Sequence, residues 1–265
     1  MLRFSANIEM LGTHVDFYER FSLAKKSGFD AAEFWSFEGK DLARIATLSR
    51  ELALPISSLS GDGPSFSLCD DSHRKGYVEY ARRAMDAANL VGSPLIVLHS
   101  NALGEGGRVV DSYSESSVYR LYMNMALTLS LLAPYAEEAG ITCVLEPLNV
   151  QVDHKGNLLR SIADAVEVVK AVASPAIQVL YDLYHMQIEG GNLLSVFAQN
   201  REHIGHIHIA DNPGRHEPGT GEINYSRVVP GLERLGYEGV VAFELSPHST
   251  YEKAVEAIMA LKTFV

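Results

Sequence analysis

The chain alternates between short apolar runs and longer segments in which apolar residues recur every three to four positions. Short runs are typical of buried strands, and the longer period is typical of amphipathic helices. The predicted strands are Arg3–Ile8, Ala31–Trp35, Ile56–Ser60, Leu95–His99, Thr142–Glu146, Gln178–Asp182, His206–Ile209 and Val240–Leu245. The predicted helices include Phe17–Ser27, Leu42–Leu52, Arg74–Val91, Val118–Ala139 and Ser161–Ala173. This pattern predicts an α/β protein.

Glycines mark the ends of several predicted helices, at Gly28, Gly92, Gly140 and Gly236, each shortly before a predicted strand or at its start. Eight strands that alternate with helices predict a parallel sheet, and eight is the number that closes a (β/α)₈ TIM barrel. No linker-like stretch interrupts the pattern, so we expect a single domain over residues 1–265. An open doubly wound sheet is the alternative, but the sequence lacks the Gly-rich phosphate turn that such sheets carry after the first strand.

Charge and composition narrow the classes of partner. The chain has 22 Lys and Arg against 33 Asp and Glu, which gives a net charge of −11. Nucleic-acid binders usually have a basic face, and here the candidates are short, Lys25–Lys26 and Arg82–Arg83. No stretch approaches the roughly 20 apolar residues of a membrane span. Two cysteines, Cys69 and Cys143, do not suggest a disulfide framework. We therefore expect a cytoplasmic enzyme that binds neither nucleic acid nor membranes.

Acidic and imidazole side chains stand at or near the ends of the later strands: Glu146, Asp182, His208 and Glu244. A buried charge costs several kcal/mol unless it is paired or binds a metal. Barrel closure would bring these ends together on the catalytic face. Two Glu, one Asp and one His suit Mg²⁺ or Mn²⁺, with Co²⁺ or Zn²⁺ as alternatives. Each acid also has an ordinary structural explanation, as a strand-end carboxylate, a helix cap or a salt-bridge partner.

Three further polar residues extend this candidate site. His206 and His208 point to the same strand face, and His208 is the preferred ligand because it lies nearer the strand end. His185 follows Asp182 by three positions, which places both on one face of a helical turn. Arg215, in the Gly-rich loop after the seventh strand, is either an exposed cation or the partner of a substrate carboxylate, whose two oxygens its guanidinium matches.

Several segments resemble the hydroxypyruvate isomerase family of xylose-isomerase-like barrels, to which ketose 3-epimerases are related. The segments are LEPLN (145–149), YDLYHMQ (181–187), HIHIADNPGRHEPGTGEINY (206–225) and FEL (243–245). The resemblance implies that Glu146, Asp182, His208 and Glu244 bind one divalent metal ion. It also implies that Glu146 and Glu244 are the acid–base pair and that His185 and Arg215 contact the substrate.

The expected function is a metal-dependent isomerase that converts hydroxypyruvate to tartronate semialdehyde through an enediolate. A ketose 3-epimerase or an aldose–ketose isomerase acting on a free sugar is the alternative, because His208 stands where some family members have Gln. A more distant alternative is a DNA-repair hydrolase similar to endonuclease IV. This sequence departs from the endonuclease IV motifs at two places. Gly214 stands where those motifs have an Asp, and the segment Ser60–Asp62 lacks the His that they would have. The family resemblance also implies that the chain can associate as a homo-oligomer.

Overall fold

The computed structural model describes residues 2–264, and its strands form a closed barrel in the order β1 to β8. The strands are β1 Arg3–Asn7, β2 Ala31–Phe34, β3 Ile56–Ser60, β4 Leu95–Leu98, β5 Thr142–Leu145, β6 Ile177–Asp182, β7 Ile204–Ile209 and β8 Val240–Phe243. Neighbouring strands pair in parallel, and β1 closes the barrel against β8 with Arg3 opposite Val240. The barrel prediction is confirmed, and the open-sheet alternative is wrong.

Helices cover the outside of the barrel within the described residues. They are α1 Glu19–Lys26, α2 Leu42–Glu51, α3 Arg74–Val91, α4 Val118–Ala139, α5 Ile162–Val172, α6 Leu183–Glu189, α7 Leu193–Asn200, α8 Tyr225–Arg234 and α9 Tyr251–Ala260. Gly92 and Gly140 end α3 and α4 with φ of 75° and 66°, a left-handed conformation that glycine adopts without steric cost. Within residues 2–264, no helix combines the length and the apolar character that a membrane span needs.

Strand ends differ from the predicted ones by one or two residues, and the differences concern the candidate site. Strands β4, β5 and β8 end before His99, Glu146 and Glu244. The backbone N–H of Glu146 still donates to Leu98 O at 2.9 Å, and that of Glu244 donates to Ile209 O at 3.1 Å. The carboxylates therefore sit on backbone that the neighbouring strand fixes, although the regular ladder has ended.

The inside of the barrel has an apolar side and a polar side. Val97, Val144 and Leu180, from β4, β5 and β6, form a small apolar cluster of their own. Across the barrel, the hydroxyls of Ser5 and Ser57 lie 2.7 Å apart. The buried side chains of Glu33 and His206 continue this polar side. Barrel interiors are usually filled by branched apolar residues, so the polar side is a departure that leads to the candidate site.

Candidate metal centre and active site

The ends of β5 to β8 bring together the four side chains that the sequence singled out. Glu146, Asp182, His208 and Glu244 are buried, and each offers one ligand atom such that all four atoms lie within 4.8 Å of one another. Parallel strands in a barrel direct their carboxyl ends to one face, which explains why positions so distant in sequence converge. The convergence follows from strand topology and not from local sequence.

Several buried polar atoms in this cluster have no hydrogen-bond partner. They are Glu146 Oε1 and both ring nitrogens of His208. His208 Nδ1 lies 3.3 Å from Glu244 Oε2 and 3.8 Å from Glu146 Oε1, which are ion-pair distances without hydrogen-bond geometry. Carboxylate oxygens with one imidazole are donors that Mg²⁺, Mn²⁺ and related divalent ions accept. The residues present therefore fit a divalent metal ion.

Donors occupy both oxygens of Glu244. Trp35 Nε1 donates to Oε1 at 2.7 Å, and Asn7 Nδ2 donates to the same oxygen at 3.2 Å. The guanidinium of Arg215 donates to Oε2. Burial alone would raise the pKa of Glu244, but the charges of Arg215 and His208 outweigh it and hold the pKa well below its usual range. Glu244 is therefore a buried carboxylate that is held in place, and stabilised in its charged form, by three protein donors.

Only one of the two carboxylate oxygens of Glu146 has a hydrogen-bond partner. His99 Nε2 lies 3.1 Å from Glu146 Oε2, and His99 Nδ1 lies 3.1 Å from Asp62 Oδ1. Asp62 also accepts a hydrogen bond from the Tyr77 hydroxyl at 3.1 Å. Burial lowers the pKa of His99, but Asp62 and Glu146 outweigh it and raise the pKa to about 10. A protonated His99 thus donates to both carboxylates and leaves Glu146 Oε1 facing the cluster.

Asp182 uses its two oxygens for different purposes. Oδ1 accepts hydrogen bonds from Tyr184 N at 2.8 Å and His185 N at 3.1 Å, so it caps α6. Oδ2 lies 3.6 Å from a guanidinium nitrogen of Arg215. Burial raises the pKa of Asp182 to about 7, although the charge of Arg215 opposes the rise. The cap and the position in the cluster are therefore compatible, and neither explanation excludes the other.

Glu33 on β2 is a buried residue that sequence reasoning missed. Its carboxylate lies 3.1 Å from His206 Nε2 and 3.2 Å from His208 Nε2, and it accepts a hydrogen bond from the Ser58 hydroxyl at 2.9 Å. Burial would raise the pKa of Glu33, but His208 and His206 hold it well below its usual range. The signal was available, because Glu33 is an acid inside the predicted strand Ala31–Trp35.

His185 is fully buried and lines the cavity above the cluster. Asn149 donates to His185 Nδ1 from its backbone N at 3.3 Å, and the Asn149 side-chain nitrogen is 2.7 Å away. Because Nδ1 accepts, the proton of the neutral ring is on Nε2, which has no hydrogen-bond partner. Burial lowers the pKa of His185, and the charge of Arg215 adds to this. His185 can therefore donate a hydrogen bond into the cavity.

Arg215 is not an exposed loop cation. Its side chain is 20% accessible and contacts Asp182 and Glu244. Its backbone has φ of 56°, a conformation that costs a non-glycine residue about 1–3 kcal/mol. Arg215 N donates to Asp211 O at 3.0 Å, and the buried Asp211 carboxylate accepts hydrogen bonds from Gly219 N and Ile223 N. Asp211, which sequence reasoning also missed, thus fixes the loop that carries Arg215.

The cluster forms the floor of a cavity of about 540 Å³. Trp35, His99, His154, His185 and Arg215 are among the residues around it. Trp35 is 45% exposed while its indole N–H is committed to Glu244, so its ring forms part of the wall. Cavities of a few hundred cubic ångströms are typical of small-molecule sites.

Comparisons with known proteins agree with this architecture. The family model described as "Xylose isomerase-like TIM barrel" matches residues 21–263. The chain is 31% identical over 260 residues to a hydroxypyruvate isomerase of Escherichia coli, covering 95% of this chain and 96% of the relative. It is 30% identical over 262 residues to a 2-oxo-tetronate isomerase of Pectobacterium atrosepticum, covering 95% of each.

Solved structures show the same fold. An AP endonuclease, family 2, from Brucella melitensis superimposes with a TM-score of 0.88 at 27% identity and covers 98% of both chains. A 3-keto-D-glucoside 4-epimerase from E. coli superimposes with a TM-score of 0.81 at 24% identity, covering 99% of this chain and 100% of that one. The second likeness concerns the fold alone.

Divalent metal should stabilise the protein through Asp182. Adding Mn²⁺ or Mg²⁺ to chelator-treated protein should raise its thermal midpoint, because a ligand at 100 times its Kd adds about 2.7 kcal/mol. Asp182→Asn keeps the oxygen that caps α6 but removes the charge, and should lose most of this shift. The matched control is Asp86→Asn, which alters an exposed aspartate on the outer helix α3 and should keep the shift. Equal metal-induced shifts in wild type and Asp182→Asn would contradict the assignment.

Proposed function

The chain belongs to the xylose isomerase-like TIM barrel family, as its sequence motifs predicted, and we propose that it is a metal-dependent isomerase of small 2-keto acids. The proposed reaction converts hydroxypyruvate to tartronate semialdehyde through an enediolate. The observation that carries the proposal is the convergence of Glu146, Glu244 and Arg215 on one buried cluster. Relatives named hydroxypyruvate isomerase and 2-oxo-tetronate isomerase, each covered over most of its length, support the same substrate class.

The metal would be held by Glu146, Asp182, His208 and Glu244, whose unpartnered atoms and oxygen-rich donor set support this role. When bound, a divalent ion would polarise the substrate carbonyl and stabilise developing negative charge on oxygen. In the proposed reaction C3 of hydroxypyruvate loses a proton, C2 gains one, and the hydroxyl proton passes from O3 to O2. Atoms and charge therefore balance without any oxidant or reductant.

We assign proton abstraction to Glu146 and proton return to Glu244. Glu146 Oε1 has no hydrogen-bond partner, so it is available as a base. Glu244 has donors on both oxygens and a pKa well below its usual range, so it is ionised at rest and would take up, during turnover, the proton that it returns to C2. His99 holds the other oxygen of Glu146 and so orients the base. His185 Nε2–H would donate to a substrate oxygen from the cavity wall.

The size of the cavity favours a second candidate substrate class. A volume of about 540 Å³ exceeds what a three-carbon acid requires. A four-carbon 2-keto acid or a free ketose would fill it better, and a ketose would undergo epimerisation at C3 by the same proton transfers. Arg215 distinguishes the classes, because a guanidinium in the cluster provides a bidentate partner for a carboxylate that a neutral sugar lacks.

A DNA-repair activity, which the name of the solved relative from B. melitensis raises, has less support. A site of the endonuclease IV type, to which the resemblance assigns three metal ions, would require further histidine ligands near the cluster. Within residues 2–264, neither His99 nor His216 belongs to a group of ligand atoms that could share an ion. His216 Nδ1 is instead 2.8 Å from Ser246 O, and His99 is bonded to Asp62 and Glu146. Both histidines therefore have partners within the protein and are not available as further metal ligands.

Removing either glutamate's proton-carrying ability should abolish most turnover. Glu146→Gln and Glu244→Gln keep an oxygen ligand but cannot exchange a proton, so each should lower kcat at least ~10²-fold at saturating metal. Glu167→Gln, which changes an exposed residue on α5, is the control and should leave kcat unaltered. A variant that keeps a near-wild-type kcat would remove its glutamate from the proposed acid–base pair.

Substrate class is tested by assaying metal-restored wild type and Arg215→Ala on hydroxypyruvate, a four-carbon 2-keto acid and a panel of free ketoses. Wild type should prefer the keto acids. Arg215→Ala should lose far more keto-acid than ketose turnover, because only the acids lose a charge partner. Comparing both substrates in one variant separates this effect from damage to Asp182 and Glu244, and Arg215→Lys should recover part of the loss. Conversion of ketoses alone by wild type would overturn the keto-acid proposal in favour of an epimerase.

A further inference from the structure

Two neighbouring histidines line the cavity, and the proposed proton transfers do not involve one of them, His154. The ring centroids of His154 and His185 lie 5.2 Å apart. His185 presents Nε2–H to the cavity, because Asn149 donates to its Nδ1. The hydrogen bonds of His154 give its ring the opposite polarity.

The loop between β4 and α4 fixes the tautomer of His154. His154 Nδ1 lies 2.7 Å from the carbonyl oxygen of Gly107, and a carbonyl oxygen can only accept, so Nδ1 carries the proton. Burial lowers the pKa of His154, although the Gly107 carbonyl opposes the change, and the ring is therefore neutral near pH 7. Its Nε2 then carries a lone pair that no group within residues 2–264 uses. His154 thus offers a free acceptor at the cavity wall.

The His154 ring is held in place from two sides. Gly107 has φ of 74°, and a Cβ there would lie 2.7 Å from His154 Cε1, so the loop packs directly on the ring. On the other side, His154 N donates to Asn149 O at 3.1 Å, and the Asn149 side-chain oxygen accepts from Asp153 N at 3.1 Å. Asn149 therefore fixes both the loop of His154 and the tautomer of His185. Groups held in this way lose little freedom when they bind a ligand.

We propose that His154 Nε2 and His185 Nε2–H together bind one hydroxyl group of the substrate. A hydroxyl donates one hydrogen bond and accepts others, so it matches an acceptor beside a donor. A carbonyl or carboxylate oxygen only accepts and would leave His154 without a partner. Two nitrogens can share one oxygen if they lie within about 6 Å of each other, twice the usual hydrogen-bond length, and the separation of the rings is compatible with this.

This inference rests on the proposed function and favours, among its substrates, a 2-keto acid with a hydroxyl beyond the reacting carbons. In the proposed reaction C2 and C3 exchange protons while Arg215 contacts the carboxylate, so the groups on C1 to C3 are engaged at the cluster. The cavity of about 540 Å³ leaves room for a fourth carbon. A hydroxyl on C4 is the next polar group along such a chain. His154 is therefore assigned as a residue that distinguishes substrates with this hydroxyl from those without it.

Two substrates that differ only in this hydroxyl test the inference, 3,4-dihydroxy-2-oxobutanoate and 3-hydroxy-2-oxobutanoate. Metal-restored wild type should have a kcat/KM at least ~10-fold higher on the dihydroxy acid, because the other acid leaves the polar groups of the site unpaired. His154→Asn keeps an amide nitrogen that can donate to Gly107 O but has no acceptor in place of Nε2. It should lose at least ~10-fold in kcat/KM on the dihydroxy acid and much less on the monohydroxy acid, with an unchanged thermal midpoint.

Two further variants separate recognition of the hydroxyl from a structural role of the ring. His154→Gln can place an amide oxygen near the position of Nε2 and should keep part of the preference. His203→Asn is the control, because His203 is half-buried in the turn before β7, at the opposite end of the barrel, and it should change neither value. Losses of equal size on both acids in His154→Asn would overturn the inference, since His154 would then act only by holding the loop.

Binding of acids that cannot isomerise separates this inference from the proposed function. The acids 2,3,4-trihydroxybutanoate and 2,3-dihydroxybutanoate lack the keto group and differ in the C4 hydroxyl. In titration calorimetry wild type should bind the first at least ~10-fold more tightly, and His154→Asn should bind both equally. A wild type that turns over neither keto acid would contradict the isomerase assignment, while calorimetry would still decide whether the hydroxyl is recognised. Equal affinity of wild type for the two acids would overturn the inference.

Discussion

Repulsion among buried carboxylates is the constraint on which the upper end of the barrel depends. Glu33, Glu146, Asp182 and Glu244 surround one imidazole, that of His208. Two like charges 4 Å apart repel by about 4 kcal/mol even at an effective dielectric constant of 20. Arg215, His99 and the two histidines of β7 offset part of this repulsion within the protein. A divalent cation would offset more, and the buried negative charge is compatible with such an ion.

The two sides of the barrel interior serve this arrangement differently. On the polar side, Ser57 and His206 hydrogen-bond to the Glu33 carboxylate beneath the cluster, and the Ser5 hydroxyl contacts that of Ser57. The apolar side consists of the cluster of Val97, Val144 and Leu180 from β4 to β6. Low dielectric around fixed donors strengthens each electrostatic interaction above it. The loop that Asp211 fixes places Arg215 beside Asp182 and Glu244, where its guanidinium could contact a substrate carboxylate.

Sequence patterns predicted the eight strands and the convergence of Glu146, Asp182, His208 and Glu244, because strand topology alone determines which ends meet. Glu33 could have been found by the same rule, since it is an acid within an apolar strand. Contacts made by side chains from loops could not have been predicted from the sequence. The hydrogen bond from Trp35 to Glu244, the link from His99 to Glu146 and the burial of Arg215 depend on how loops fold over the barrel end. Neither periodicity nor spacing encodes those paths.

The central claim is that two glutamates move the substrate's proton, and isotope incorporation tests it most directly. Metal-restored enzyme should convert hydroxypyruvate in D₂O, and the aldehyde product should be examined by NMR and mass spectrometry. Proton abstraction by one carboxylate and return by another predicts one deuterium at C2 of the product, since carboxylic protons exchange with solvent. A product whose C2 carries only the hydrogen that left C3 of the substrate would contradict the account, because the hydrogen would then have moved directly between carbons without a carboxylate carrying it.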